Sequence, residues 1–376
     1  MRFKIFFCSI LVILLQVSFQ LHSHEATHEQ PRLERLDHIA VWVADWQKTA
    51  NFLTNVVGWK LHPVRFAAAG ETIGGMDLVF VDGQGLWLEL VEPTTPGPGM
   101  DMLETLGDGA IVELDFWANN YQLSLDEMES RGIQMLNMDG SPLKDRGRII
   151  DGVMKGGDID SSEYIAYFPP DLTGGTAVEI LERFLDDEDS IINKRDKMWG
   201  VESLNQPIDP NVPRIDHLSI LVEDLEKIAN FYSDVLGLKR GIEFETDGNL
   251  NEVGGFKAVF LNANGIYEKD LWLQLLQPVG PGPVMDLLNK HGNGYVLEIG
   301  AEVDDLDKFY DQMKEKGITM VNLDGSPLAS GEKGTTIKPY GERHYFPLER
   351  SFGMRIMIYE RGSSSTSILH QRDSAF

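Results

Sequence analysis

The chain contains its own plan twice, and any fold it adopts must accommodate that. Leu36-Asp37-His38-Ile39 returns as Ile215-Asp216-His217-Leu218, and Leu86-Trp87-Leu88-Glu89-Leu90 returns as Leu271-Trp272-Leu273-Gln274-Leu275. Pro96-Gly97-Pro98-Gly99-Met100-Asp101 returns as Pro281-Gly282-Pro283-Val284-Met285-Asp286. Asp139-Gly140-Ser141-Pro142-Leu143 returns as Asp324-Gly325-Ser326-Pro327-Leu328. A chain of 376 residues suits two domains of ordinary size. The repeat sets their bounds at 35–184 and 213–362, with a linker over 185–212 and a Ser-rich tail over 363–376 expected to be disordered. It also shows which polar residues both copies keep and which one copy lacks.

The first residues stand outside this plan. Arg2 and Lys4 precede an apolar run from Ile5 to Phe19, and polar Gln20, His22, Ser23 and His24 follow. A basic start, a short apolar run and a polar stretch together read as a secretory signal peptide over 1–23. The run is shorter than the roughly 20 apolar residues of a membrane span, though a retained N-terminal anchor is the alternative. Residues 24–34 read as a flexible leader, and His22, His24 and His28 as part of this polar remnant rather than as a metal site. The expected location is secreted or periplasmic, with no stable membrane association once the leader is removed.

The one cysteine, Cys8, lies inside the apolar run, so cleavage leaves a mature chain without disulfides, thiol catalysis or thiolate metal ligands. The formal charge of −26 becomes more negative still when Arg2 and Lys4 depart. Such an acidic body disfavours nucleic acid and anionic membrane as partners. A small-molecule substrate and a monomer or homodimer are the expectation.

Each repeat divides again. Residues 36–43 alternate as a strand, Asp45 caps a helix from Trp46 to Val57, and Gly58 closes it. Strands follow at Lys60–Arg65, Asp77–Val81 and Trp87–Val91, then a Pro/Gly-rich loop at 93–99 and a short helix at Met100–Leu106. The pattern restarts with strand Ile111–Trp117, helix Leu123–Ser130, strand Ile133–Asn137, a long loop, and strands Tyr164–Phe168 and Ala177–Leu181. In the second repeat, strands open at Asp216 and Val296, with helices near 225–236 and 305–316. The fold class is α+β: four strand-helix-strand-strand-strand (βαβββ) modules.

A strand opening Asp-His-Ile/Leu, a helix ending Val-Val-Gly-Trp or Val-Leu-Gly-Leu, and the later strand Leu-Glu-Leu-Val-Glu-Pro resemble the vicinal oxygen chelate superfamily. That group includes glyoxalase I, methylmalonyl-CoA epimerase, fosfomycin resistance proteins and extradiol dioxygenases. The Leu-Glu-Leu-Val-Glu-Pro strand, the Pro-rich loop and Gly107-Asp108-Gly109 are most similar to the epimerase and glyoxalase branches. The resemblance implies two tandem domains with half-open barrel sheets, each concave face suited to a divalent metal held by residues from the first and last strands of its modules.

Carried onto this sequence, the resemblance implies ligands His38, Glu89, Glu113 and Glu179 in the first repeat. In the second it implies His217, Gln274 and Glu298, with Met357 where Glu179 would be. Glu113 and Glu298 both stand where a histidine is usual. Glu92 and Glu182, at odd spacing from Glu89 and Glu179, are assigned to the solvent side. Relatives exchange modules between halves, so the complete set is either His38, Glu89, Glu113 and Glu179, or Glu113, Glu179, His217 and Gln274. Either way one site is complete and one weakened.

Converging carboxylates repel and raise each other's pKa values, and a cation removes that cost. One His with three carboxylates is a hard, oxygen-rich set suited to Mn, Mg, Ca, Ni, Co or Zn. It lacks the two-His-one-carboxylate face of ferrous dioxygenases. The implied chemistry is polarisation of a carbonyl and movement of an adjacent proton, as in an epimerase, isomerase or glyoxalase-like lyase. Glu179 is the first candidate for the proton carrier; Glu71 and Glu252, before Gly74-Gly75 and Gly254-Gly255, are further ones. His344 is a possible site residue, and Trp42, Trp87, Trp117 and Trp272 are possible pocket walls. A binding protein that sequesters a ligand without chemistry is the alternative function, and a metal-supported structural module is a third.

Overall fold

The computed structural model describes residues 33–182 and 209–360, apart from 71–73, 119, 138–139, 145–154, 157–158, 161–164, 247–253, 265–269, 329–334 and 338–340. The stretch read as a signal peptide and leader up to Arg32, with His22, His24 and His28, most of the linker, the tail, Glu71 and Glu252 lie outside the described residues. Among the described residues no helix is long and apolar enough to cross a membrane.

The first repeat runs β1 (Leu33–Trp42), α1 (Trp46–Phe52), β2 (Lys60–Gly70), β3 (Gly74–Asp82), β4 (Trp87–Pro93), α2 (Pro98–Leu106), β5 (Ala110–Ala118) and α3 (Tyr121–Ser130). A two-stranded ribbon of β6 (Lys155–Gly156) and β7 (Ile159–Asp160) precedes β8 (Ile165–Tyr167), α4 (Pro170–Thr173) and β9 (Ala177–Glu182). The second repeat runs β10 (Arg214–Leu221), α5 (Leu225–Asn230), β11 (Lys239–Thr246), β12 (Phe256–Asn262), β13 (Trp272–Pro278), α6 (Pro283–His291), β14 (Val296–Val303) and α7 (Leu306–Glu315). It ends with β15 (Thr335–Ile337), β16 (Gly341–Tyr345) and β17 (Ile356–Glu360).

Each repeat forms one sheet. The first has the order β2-β3-β4-β1-β5-β9-β8, and the second β11-β12-β13-β10-β14-β17-β16-β15. Both are centred on the antiparallel opening strands of their two modules, β1 with β5 and β10 with β14. The parallel pairs β1–β4 and β5–β9 flank that centre in the first sheet. The modules therefore pair within each repeat, not across repeats.

Local sequence sets the helix ends. Asp45 accepts a hydrogen bond from the Lys48 amide and Asp224 from that of Lys227, closing the first turns of α1 and α5. The helix read over Trp46–Val57 is α-helical only to Phe52. Leu53–Val57 then form a π-helical turn, as do Phe231–Val235. Gly58, at φ 99°, ends the segment in the left-handed region, where a side chain would be strained.

The strand expected at Ile133–Asn137 is reduced to isolated bridges from Leu136 to Pro142 and Tyr167, matched by Val321 with Pro327 and Tyr345. Asn137 instead turns the chain, its amide bonding the Ser141 carbonyl. β1 begins at Leu33, inside the stretch read as leader.

Helices and the inner faces of both sheets share one apolar core. Phe52 packs edge-on to Phe346 at 5.2 Å between ring centres, and Phe231 packs edge-on to Phe168 at the same 5.2 Å. These are equivalent residues with the repeats exchanged, so the seam is pseudo-twofold. Such pairs contribute about 0.5–1.5 kcal/mol beyond their buried area. Arg131, after α3, donates to the Asp234 carbonyl, while Lys316, after α7, donates to the Asn55 and Val56 carbonyls. Helices α1, α3, α5 and α7 fill the space between the sheets, while α6 packs Val284 and Leu288 on the other face of the second sheet.

Candidate metal centre

Side chains alternate along a strand, so residues two apart share a face and register neighbours form rows across it. In the first sheet one row runs Trp87, His38, Asp115, Glu179 and Tyr167, and the next runs Phe80, Glu89, Ala40, Glu113 and Ala177. All four ligand candidates of the first repeat therefore lie on one face, and Asp115 joins them. The small Ala40 side chain leaves space between Glu89 and Glu113.

Carboxylate oxygens of Glu113, Asp115 and Glu179 all lie within 4.8 Å of one another. His38 Nε2 is 3.4 Å from Asp115 Oδ2 and 3.6 Å from Glu89 Oε2. On its other side His38 Nδ1 is 2.9 Å from Asp37 Oδ2. An ionised carboxylate can only accept, so Nδ1 carries the proton and Nε2 faces the cluster. Arg35 in turn reaches Asp37 at 3.3 Å and lies over the Trp117 ring, 4.4 Å from its centre. Phe80 meets the His38 ring edge-on.

The charges strain one another. Burial, followed by repulsion from Glu113, Glu179, Glu89 and Asp37, pushes the Asp115 carboxyl well above the usual range. Burial also raises Glu113, against hydrogen bonds with Tyr167 and Glu179 that favour its charged form. Burial and the same carboxylates raise the Tyr167 hydroxyl. For His38, burial opposes the charged form, but hydrogen bonds to Asp37 and Glu89 outweigh it and lift the imidazolium to about 9. Four carboxylates thus face one imidazole, and the set carries surplus negative charge. The donor chemistry fits a hard divalent cation.

Asp115 is not among the ligands that the resemblance implies. The signal was available, since Glu113 and Asp115 are two apart on one strand and must share a face. Glu92 accepts the Trp46 amide and so closes the start of α1. Glu182 ends β9, and its side chain is outside the described set. His344 is buried beside Tyr310 and Glu342. It lies on the opposite face of β16 from Arg343 and Tyr345, which removes it from the concave side.

The second sheet repeats the rows with other side chains: Trp272, His217, Gly300, Met357 and Tyr345, then Phe260, Gln274, Ser219 and Glu298. His217 Nδ1 is again held by Asp216, at 2.8 Å. Trp87 and Trp272 are fully buried at equivalent places beside the two histidines. Trp42 and Trp117 border the first concave face.

This architecture has known counterparts. The sequence model of the Glyoxalase/Bleomycin resistance protein/Dioxygenase superfamily matches residues 35–137 and 214–325. The chain belongs to that superfamily, the vicinal oxygen chelate group. It is similar to human mitochondrial methylmalonyl-CoA epimerase, 30% identical over 144 residues, covering 36% of this chain and 76% of the relative. The bovine mitochondrial epimerase is 28% identical over 130 residues, 34% of this chain and 69% of the relative. Among solved structures, a mutant 4-hydroxymandelate synthase from Streptomyces coelicolor superposes with a TM-score of 0.57 at 15% identity, over 91% of this chain and 98% of that one. At that identity the likeness concerns the fold.

Proposed function

We propose that the protein is a divalent-metal-dependent enzyme of the glyoxalase/epimerase type, acting on a small oxygenated substrate. The observation that carries this reading is the convergence of the Glu113, Asp115, Glu179 and Glu89 carboxyl groups, buried or half-buried, with His38 Nε2 turned toward Asp115 and Glu89. Glu113, Asp115 and Glu179 would hold the ion, with His38 and Glu89 completing the set. A bound ion would supply Lewis-acid polarisation of a carbonyl flanked by a second oxygen.

The chain's own residues do the rest. Asp37 fixes the His38 ring, and Tyr167 bonds Glu113 from β8, reaching past β9. Phe80 and Trp87 wall the histidine side against water. The Glu179 carboxylate would take the proton adjacent to the carbonyl and return it to the same carbon. The epimerase likeness supports this reaction class. The acidic body and the secretory leader favour a hydroxy-ketone or sugar acid over a CoA thioester, and a secreted or periplasmic enzyme.

The test is twofold. Elemental analysis should find a divalent metal that Glu113→Gln removes. The loaded protein should then exchange the α-proton of hydroxy-ketones with D2O, followed by NMR, and Glu179→Gln should slow exchange at least 100-fold. A chain that takes up no Mn, Ni, Co or Zn would sink the Lewis-acid reading and leave a ligand-binding protein.

A further inference from the structure

The second concave face keeps the frame of the first and loses its charge. Register equates Glu89 with Gln274, Asp115 with Gly300 and Glu179 with Met357, so Glu298 is the one carboxylate left of four. A guanidinium has arrived at the same time. Arg343, two residues before Tyr345 on β16, stands where Ile165 precedes Tyr167. Its Nη1 is 3.9 Å from Glu298 Oε1, with the two side chains 4% and 3% exposed. Arg343 also bonds the Tyr345 hydroxyl, and Ser219 Oγ lies 3.1 Å from Glu298 Oε1 and 2.8 Å from Gln274 Oε1. One carboxylate and one guanidinium balance, where the first face sets four carboxyl groups against one imidazole.

Space has closed as well. A β-carbon at Gly300 would run into the His217 ring, so this imidazole occupies room that Asp115 has beside His38. Phe260, Trp272, Leu276, Met357 and Tyr359 form an apolar cluster around it.

We propose that Arg343 is a built-in cation that supplies the positive charge the first repeat leaves to a metal ion, so that the second repeat binds no metal. The comparison with the first repeat rests on the metal-dependent reading above, but the Arg343–Glu298 pairing does not. Removing one partner of such a pair strands a buried charge, whereas removing both need not destabilise.

The full chain, dialysed against Mn, Ni, Co or Zn, is assayed for bound metal beside Glu113→Gln and Glu298→Gln. Metal content unchanged by Glu298→Gln supports the proposal, and a second equivalent per chain that Glu298→Gln removes overturns it. Independently, Arg343→Met and Glu298→Gln are each compared with the double variant in urea unfolding. The proposal expects the double variant to recover at least tenfold in the unfolding constant over additivity; strict additivity overturns it. If Arg343→Met does not fold, Arg343→Lys, which keeps the charge, serves in its place and should fold with near-normal stability. A chain free of all metal that still shows the coupling would defeat the metal-dependent reading and leave this one standing.

Discussion

The His217 imidazole lies against the backbone of Gly300, at the register position where His38 faces the carboxylate of Asp115. The same histidine, held by the same preceding aspartate, thus meets a charged side chain in one repeat and bare backbone in the other. Gly300→Ala should force the buried ring off its place and cost about 1–3 kcal/mol by overpacking. Thermal unfolding followed by circular dichroism would read this, and an unchanged midpoint would show that the ring is not confined there.

Protonation opposes metal at the first face. The pKa values of Glu113, Asp115 and His38 are all raised in the folded chain, His38 to about 9 from an ordinary 6.5. Groups with raised folded pKa values stabilise at low pH and lose that contribution as pH climbs through them. The metal-free protein should therefore weaken as pH rises, from the ordinary carboxylate range up to about 9, with the His38 share about 3 kcal/mol. Metal affinity should rise over the same window, because a divalent ion must displace those protons. Calorimetric titration in two buffers of different ionisation enthalpy should show proton release; equal heats in both would contradict it.

Asp37→Asn should lower metal affinity about 10–100-fold without removing a ligand, because the Asp37 carboxylate fixes the proton on His38 Nδ1 and aims Nε2 at the cluster. Asp216→Asn, at the equivalent place in the second repeat, should leave metal affinity unchanged and lower stability alone. Equal effects of the two substitutions on metal binding would undo the distinction between the faces.

Two glycines let the repeats approach. Gly109 and Gly294 both have φ near +80°, and a β-carbon on Gly109 would meet the Phe352 carbonyl, as one on Gly294 would meet the Thr176 amide. Alanine at either position should cost more than the roughly 1 kcal/mol of an ordinary left-handed site, since the neighbouring atom is backbone and cannot swing aside. Urea unfolding would decide; a change under 0.5 kcal/mol would mean the seam is loose.

Much of the first face could be read from residue order. His38, Glu89, Glu113 and Glu179 follow from the resemblance, and the structure places all four on one surface. Asp115 is absent from the set that the resemblance implies, although two acids two apart on one strand must share a face. Helix extent was legible from Asp45 and Gly58, but the switch at Leu53 to a π-helical turn was not. That switch lies where Phe52 enters the seam, and no local propensity encodes it. The missing strand at Ile133–Asn137 has the same origin. Its apolar alternation suits an edge strand, yet only Leu136 bridges its neighbours.

The sequence by itself determined that there are four related modules in two repeats, because a copied pattern of strand periods, caps and glycines needs no partner to be recognised. It also determined which acids and histidines each copy holds. Only the tertiary structure decided that modules pair within a repeat, because the pairing of β1 with β5 and of β10 with β14 is a long-range choice that periodicity leaves open. Only it placed Arg343 beside Glu298, two residues 45 positions apart on non-adjacent strands of one sheet. Charge balance is a property of neighbours in space, and so the difference between the two faces became visible only once the sheets were formed.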